Sequence, residues 1–206
     1  GEALARIEAL RVGQRGQRDA VKTLASRVYV HEAMIHLLVK LNASAPDSGY
    51  AMRAFEWAER ARARALLDLT AAAAGHAGAA RTVTLAEAQG LLRADHEALL
   101  EYSVGDSSTS LWVVRRSGWR VVRLPSRAAL RSRVMALRRA LGDPQAADGA
   151  RARELGLQLY RLLVAPAEPL LGGVDRLVIS PDGPLALLPF EALRVGDTGA
   201  TGTSRA

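Results

Sequence analysis

Apolar residues recur at three- and four-residue steps through the first third of the chain. From Asp19 to Asn42, Val21, Leu24, Val28, Ile35 and Leu38 form one stripe, and Tyr29, Ala33, Leu37 and Leu41 form a second on a neighbouring face. That period predicts an amphipathic helix, and a helix apolar on two faces is expected to pack against two neighbours. Ala45-Pro46-Asp47-Ser48-Gly49 breaks the pattern. A second long helix is predicted from about Tyr50 to Leu69, with Ala51, Ala54, Phe55, Ala58, Ala65 and Leu69 on its buried side. Arg53, Glu56, Glu59, Arg60 and Arg62 fall on the solvated side, where Glu56 and Arg60 make an i,i+4 pair in the favourable order.

Small residues at Ala51 and Ala58 with Phe55 between them let two helices approach closely. This spacing resembles the second helix of a tetratricopeptide unit, while the first helix lacks the Gly and Tyr such a unit usually shows, so the match covers half a repeat. The region 1–75 is read as a TPR-like helical block. Ala71–Ala80 is rich in Ala and Gly and reads as a connection, with the linker placed at 76–83.

Beyond it the period changes. Thr84 with Glu87 makes a capping box for a short helix. Leu99–Val104, Leu111–Arg115 and Trp119–Leu124 are short, rich in Val, Leu and aromatics, and separated by Gly105-Asp106-Ser107 and Ser117-Gly118. They predict a meander of three antiparallel strands. Two helices follow. Ser126 caps the first, whose stripe is Leu130, Val134, Leu137 and Leu141; Asp148 is a candidate cap for the second, with Ala152, Leu155, Leu159 and Leu162 facing inward. Leu177-Val178-Ile179 is a continuous apolar run of the kind found in buried parallel strands. Pro181-Asp182-Gly183 is a sharp turn, and Leu185, Leu187 and Leu188 suggest one more brief strand. The stretch 196–206 has almost no apolar content and is expected to be a disordered tail.

Composition changes this picture in two places. The 206 residues contain no cysteine, which removes disulfides, thiolate zinc sites and a thiol nucleophile. The net charge is +7 and the sequence pI about 10.6, a balance that raises nucleic acid or an acidic surface as partners. Of 28 basic residues only Lys22 and Lys40 are lysines, leaving 26 arginines. With the alanine excess, that is the signature of a GC-rich coding bias laid over solvated helix faces. No aromatic residues interleave the arginine clusters at Arg60, Arg62 and Arg64 or at Arg127, Arg131, Arg133, Arg138 and Arg139, as base stacking would need, so nucleic acid is not the expected partner. No apolar run reaches the roughly 18 residues of a membrane span, and no membrane contact is expected. The reading places the chain in the cytoplasm.

Candidate chemistry is sparse. His31 and His36 stand five residues apart, about 140° around a helix, whereas a zincin pair needs a step of four on one face. Ser107-Ser108-Thr109-Ser110 reads as a loop, and no nucleophile elbow, P-loop or dinucleotide fingerprint is present. No catalytic residue, no metal ligand and no cofactor site is therefore assigned.

The order of the remaining features is more specific. Ala58–Leu69 ends the helical block, Leu99-Leu100-Glu101-Tyr102 opens a strand, and Trp112-Val113-Val114 and Val122-Arg123-Leu124-Pro125 follow. After Leu159-Tyr160-Arg161-Leu162-Leu163 and Pro166 come Arg176-Leu177-Val178-Ile179-Ser180-Pro181-Asp182-Gly183-Pro184-Leu185 and Leu188-Pro189-Phe190-Glu191-Ala192-Leu193. Over about residues 50–195 this set resembles the CHAT domain, a caspase-like domain found attached to tetratricopeptide repeats in bacteria and elsewhere. The resemblance implies a cysteine-peptidase-type α/β fold with a His/Cys dyad on later strands, beyond the Pro-Phe-Glu-Ala-Leu element. No position of this chain matches that dyad.

The expected architecture is accordingly α/β: a TPR-like helical block followed, over 84–195, by the N-terminal half of a caspase-like sandwich with a mixed sheet. Together with Gly1 in place of Met, this is expected of a fragment, inactive by itself. The full protein would be a peptidase-type effector regulated by a protein partner on the helical repeats. The alternative is a non-catalytic helical adaptor with an arginine-rich surface for an anionic partner.

Overall fold

The computed structural model describes residues 29–74, 82–143 and 149–195, with side chains described only to residue 64 in the first stretch. Val21, Leu24, Val28, Ala65, Leu69, His76, Asp148 and the tail 196–206 therefore lie outside the described residues or side chains. The chain divides into two compact units, Gly1–Thr82 and Val83–Ala206.

The first unit is a helical hairpin. Helix α1 covers residues 29–44, a 3-10 turn covers Pro46–Ser48, and α2 covers Tyr50–Ala74. Gly49 supplies the left-handed φ of +71° between turn and helix, a conformation that costs other residues about 1 kcal/mol or more. The Asn42 side chain accepts a hydrogen bond from the Ala51 N–H at 3.2 Å, which satisfies one of the orphan donors at the start of α2. Ile35 and Leu38 are buried from α1, and Ala51, Ala54, Phe55 and Ala58 from α2. The second stripe of α1 behaves differently: Tyr29, Leu37 and Leu41 are exposed, so only one of the two expected neighbours is present among the described residues. Helix α2 also continues past Leu69 to Ala74. Alanine has the highest helix propensity of all residues, so the start of the expected Ala/Gly connection prolongs the helix.

The second unit is built on a four-stranded mixed sheet. Helix α3 (Leu85–Leu91) leads into β1 (Glu97–Val104), β2 (Thr109–Arg115) and β3 (Gly118–Leu124), followed by α4 (Arg127–Leu141), α5 (Ala150–Leu163) and β4 (Arg176–Ser180). The strand order is β3-β2-β1-β4. The meander β1-β2-β3 is antiparallel as expected, and β4 runs parallel to β1 with Leu99 opposite Val178. The Thr84–Glu87 capping box is formed in both directions. Ser126 is the N-cap of α4 without a side-chain hydrogen bond, and the N-cap of α5 is Gly149.

Alternation along the strands decides the core. Leu100, Tyr102 and Val104 of β1, Leu111 and Val113 of β2, and Leu124 of β3 point to one face and join a single buried cluster. Leu130, Val134 and Leu137 of α4 and Leu155, Leu159 and Leu163 of α5 complete it; each such leucine contributes about 1.5–3 kcal/mol by leaving water. Trp112 and Val114, on the opposite face of β2, are buried too, as are Leu85, Ala88 and Leu92 in and just after α3. This two-sided burial explains why the Leu-Trp-Val-Val run carries no alternation.

Three local expectations are corrected. Leu177 and Val178 are 39% and 44% exposed, because β4 lies at the sheet edge among the described residues and lacks the flanking strand that a buried parallel strand has. Leu141 is exposed at the last position of α4; on α5, Leu162 packs partly buried against the core as expected, with Leu163 beside it fully buried. The Leu185–Leu188 segment is not a strand: Gly183–Leu187 forms a 3-10 helix with Pro184 in its first turn. There the missing proline N–H leaves no gap in the hydrogen bonding, and the N–H of Leu185 reaches the carbonyl of Asp182 at 3.0 Å.

Candidate functional site

In open α/β sheets, ligands and reacting groups gather at the carboxyl ends of parallel strands. Here the only parallel pair among the described strands is β1–β4, and its carboxyl ends are Val104 and Ser180. The chain turns immediately afterwards at Gly105 and at Pro181-Asp182-Gly183.

Three groups knit this end together. The Asp182 carboxylate accepts a hydrogen bond from the Val104 N–H at 2.7 Å. Arg127 donates from Nη2 to the Val104 carbonyl at 2.6 Å and from Nε to the Asp106 carboxylate at 2.9 Å. The Arg127 backbone N–H donates to the Gly105 carbonyl at 2.9 Å. Charge-assisted bonds of this length are the strong ones. Gly183 has a φ of +53°, and a Cβ there would lie 3.2 Å from Arg127 Nη1 and 3.6 Å from Val104 Cβ. The backbone sign therefore calls for glycine.

The segment after the turn folds back onto the core. Leu185 and Leu188 are buried, and Phe190 lies tilted against Tyr102 with ring centroids 5.9 Å apart. Tyr102 donates its hydroxyl proton to the Leu163 carbonyl at 3.0 Å, and burial pushes its phenol well above the usual tyrosine range. The carbonyl oxygen of Ala192 passes 2.5 Å from where a Cβ on Gly156 would sit, so the Pro-Phe-Glu-Ala strap lies directly on the backbone of α5. An isolated glycine inside a helix of good formers is the sequence signal for such a contact.

At the opposite, amino end of the pair, Glu97 accepts the Arg93 N–H at 2.7 Å and faces Arg176 Nη1 at 3.2 Å. The Arg93 hydrogen bond first, and the Arg176 guanidinium after it, hold the Glu97 carboxyl below the usual carboxylate range against the opposing effect of burial.

The groups singled out by sequence fall in different places. His31 meets Trp57 edge-on at 5.3 Å inside the hairpin, and His36 is half-buried on the same helix. Among the described residues no three acidic or histidine side chains group together as a metal site would require. Ser107 and Ser108 lie in the β1–β2 turn, while Thr109 and Ser110 already belong to β2. Of the arginines on α4, Arg131, Arg133, Arg138 and Arg139 are exposed, and Arg133 and Arg139 reach back to carbonyls of their own helix at 2.9 and 3.3 Å. Arg127 is different, being built into the strand end. Its place among five similar arginines hid that role.

The family model of the CHAT domain matches residues 153–204, from α5 through β4 and the Asp182-Gly183 turn. The match covers about a quarter of the chain, and over that segment the chain is similar to the CHAT domain. No curated protein and no solved structure matches the chain significantly. Among the described residues no helix is long and apolar enough to cross a membrane.

Proposed function

We propose that the chain is part of a TPR–CHAT protein, a caspase-like effector whose peptidase-type module is regulated through protein contacts on the helical hairpin. The observation that carries the reading is the β1–β4 parallel pair, tied at its carboxyl end by Asp182 within the segment that matches the CHAT domain. Under this reading the sheet continues beyond β4, and the His and Cys of the dyad stand on strands that join there. A chain with no cysteine has no thiolate to attack a peptide carbonyl, so under this reading the nucleophile is not supplied by these 206 residues. The exposed apolar stripe of Tyr29, Leu37 and Leu41 is the surface offered to a further repeat or to the regulating partner.

The coding sequence downstream of the Ala206 codon tests the proposal. A histidine followed by glycine and a later cysteine on an apolar strand are expected there, with peptide cleavage gained by the extended protein and absent from the 206-residue chain. A native stop codon without those residues would leave the adaptor reading in its place.

A further inference from the structure

The end of the β2–β3 hairpin carries a cleft unrelated to the strand end described above. It measures about 430 Å³ and is lined by Val113, Arg115, Ser117, Trp119, Arg120 and Leu170, among others. That volume falls within the range of small-molecule sites. Val113 and Arg120 are directly paired across β2 and β3, and Arg115 stands two residues from Val113 on the same face.

Its electrostatics are one-sided. Arg115 donates to three backbone carbonyls, those of Leu170, Gly172 and Asp95, at 3.2, 3.0 and 2.9 Å. Carbonyl dipoles orient a guanidinium but do not neutralise it, and Arg115 Nε is buried with no acceptor. Arg120 is exposed and has neither a hydrogen bond nor an ion pair among the described residues. Among the described residues no Asp or Glu lines the cleft. The nearest acids in sequence are already engaged: Asp95 with Arg116 at 3.7 Å, and Glu168 with the Tyr160 hydroxyl at 2.6 Å. Two guanidinium groups thus share one concave surface with no carboxylate between them. Beside them stand a serine hydroxyl and the apolar residues Val113, Pro169 and Leu170; Trp119, paired with Val114, alternates to the other face of the sheet.

We propose that this cleft binds a small amphipathic anion, a carboxylate or phosphate monoester attached to an apolar body. The head would be held by Arg120 with Arg115 behind it, and the body would lie against Pro169 and Leu170. Planar guanidinium groups match both carboxylate and phosphate oxygens, and the apolar side chains beside them suit an apolar body that leaves water on binding.

Calorimetric titration of the full 206-residue chain with phenyl phosphate, benzoate, benzyl alcohol and inorganic phosphate tests this. Saturable binding of phenyl phosphate or benzoate is expected, with the tighter of the two naming the head group. Benzyl alcohol should not bind, and inorganic phosphate should bind at least about tenfold more weakly than the aromatic anion. Arg120→Gln, at an exposed position without side-chain partners among the described residues, should weaken the aromatic anion about tenfold; Leu170→Ala should weaken it while leaving inorganic phosphate unchanged. Absence of saturable binding by both aromatic anions, equal binding of benzyl alcohol, or an Arg120→Gln variant with unaltered affinity would each overturn the assignment.

Discussion

The Asp182 carboxylate and the Val104 N–H, 78 residues apart in the chain, meet at 2.7 Å. This one bond closes the carboxyl ends of the parallel strands and sets where the chain leaves β4. Asp182→Ala leaves a buried backbone donor without an acceptor, and the expected loss of stability is about 1–3 kcal/mol. Asp182→Asn keeps an acceptor and should lose less than half as much. Urea denaturation of the three proteins measures both, and an alanine variant as stable as the parent would show that the bond holds nothing.

Glycine positions in the second unit should respond to alanine with opposite signs. At Gly156 a Cβ meets the Ala192 carbonyl at 2.5 Å, and at Gly183 the φ is +53°; each substitution should destabilise by about 1–3 kcal/mol. Gly90 in α3 has open space where its Cβ would go, so Gly90→Ala should stabilise by about 0.5–1 kcal/mol. Thermal melts of the three variants give the comparison, which fails if Gly90→Ala also lowers Tm.

Glu97 gives the second unit an acid-sensitive anchor. Its pKa is lower in the folded chain than the ordinary 4.5, with the Arg93 N–H as the chief cause and the Arg176 guanidinium as a further one. A depressed carboxylate pKa stabilises the fold fully above that ordinary value, and the contribution is lost as pH falls below it towards the folded pKa. Glu97→Gln should therefore be less stable than the parent at neutral pH, with the gap closing as pH falls below 4.5. A gap independent of pH would assign the role of Glu97 to packing.

The β4 edge predicts association. Its backbone groups face outward among the described residues, and Val178 is 44% exposed, the situation that invites pairing with another chain. Val178→Lys should lower the apparent mass seen by light scattering at high concentration and raise soluble yield. An unchanged association state would direct attention away from this edge.

Much of this architecture is legible in the order of residues alone. The strands β1 to β3, the Thr84 capping box and the inward faces of α4 and α5 follow from periodicity and capping chemistry, since those signals are carried by neighbours in sequence. The Asp182-Gly183 turn was readable for the same reason. Arg127 was visible only as one cation among many, because nothing local distinguishes an arginine that reaches a strand end from one that faces water.

What the tertiary structure decided is where each element lies relative to others far away in sequence. An apolar run such as Leu177–Ile179 reads the same in the middle of a sheet and at its edge; the number of flanking strands determines its exposure. Leu185-Ala186-Leu187-Leu188 is an apolar run short enough for a strand, yet Pro184 and the burial of Leu185 and Leu188 against the core make it a 3-10 turn. The +7 charge is fixed by composition, but the two guanidinium groups that share the hairpin cleft are brought together by strand register. Local sequence determines periodicity and caps because those depend on the next four residues. Register, edges and clefts depend on which distant segment arrives, and that is settled only when the chain packs.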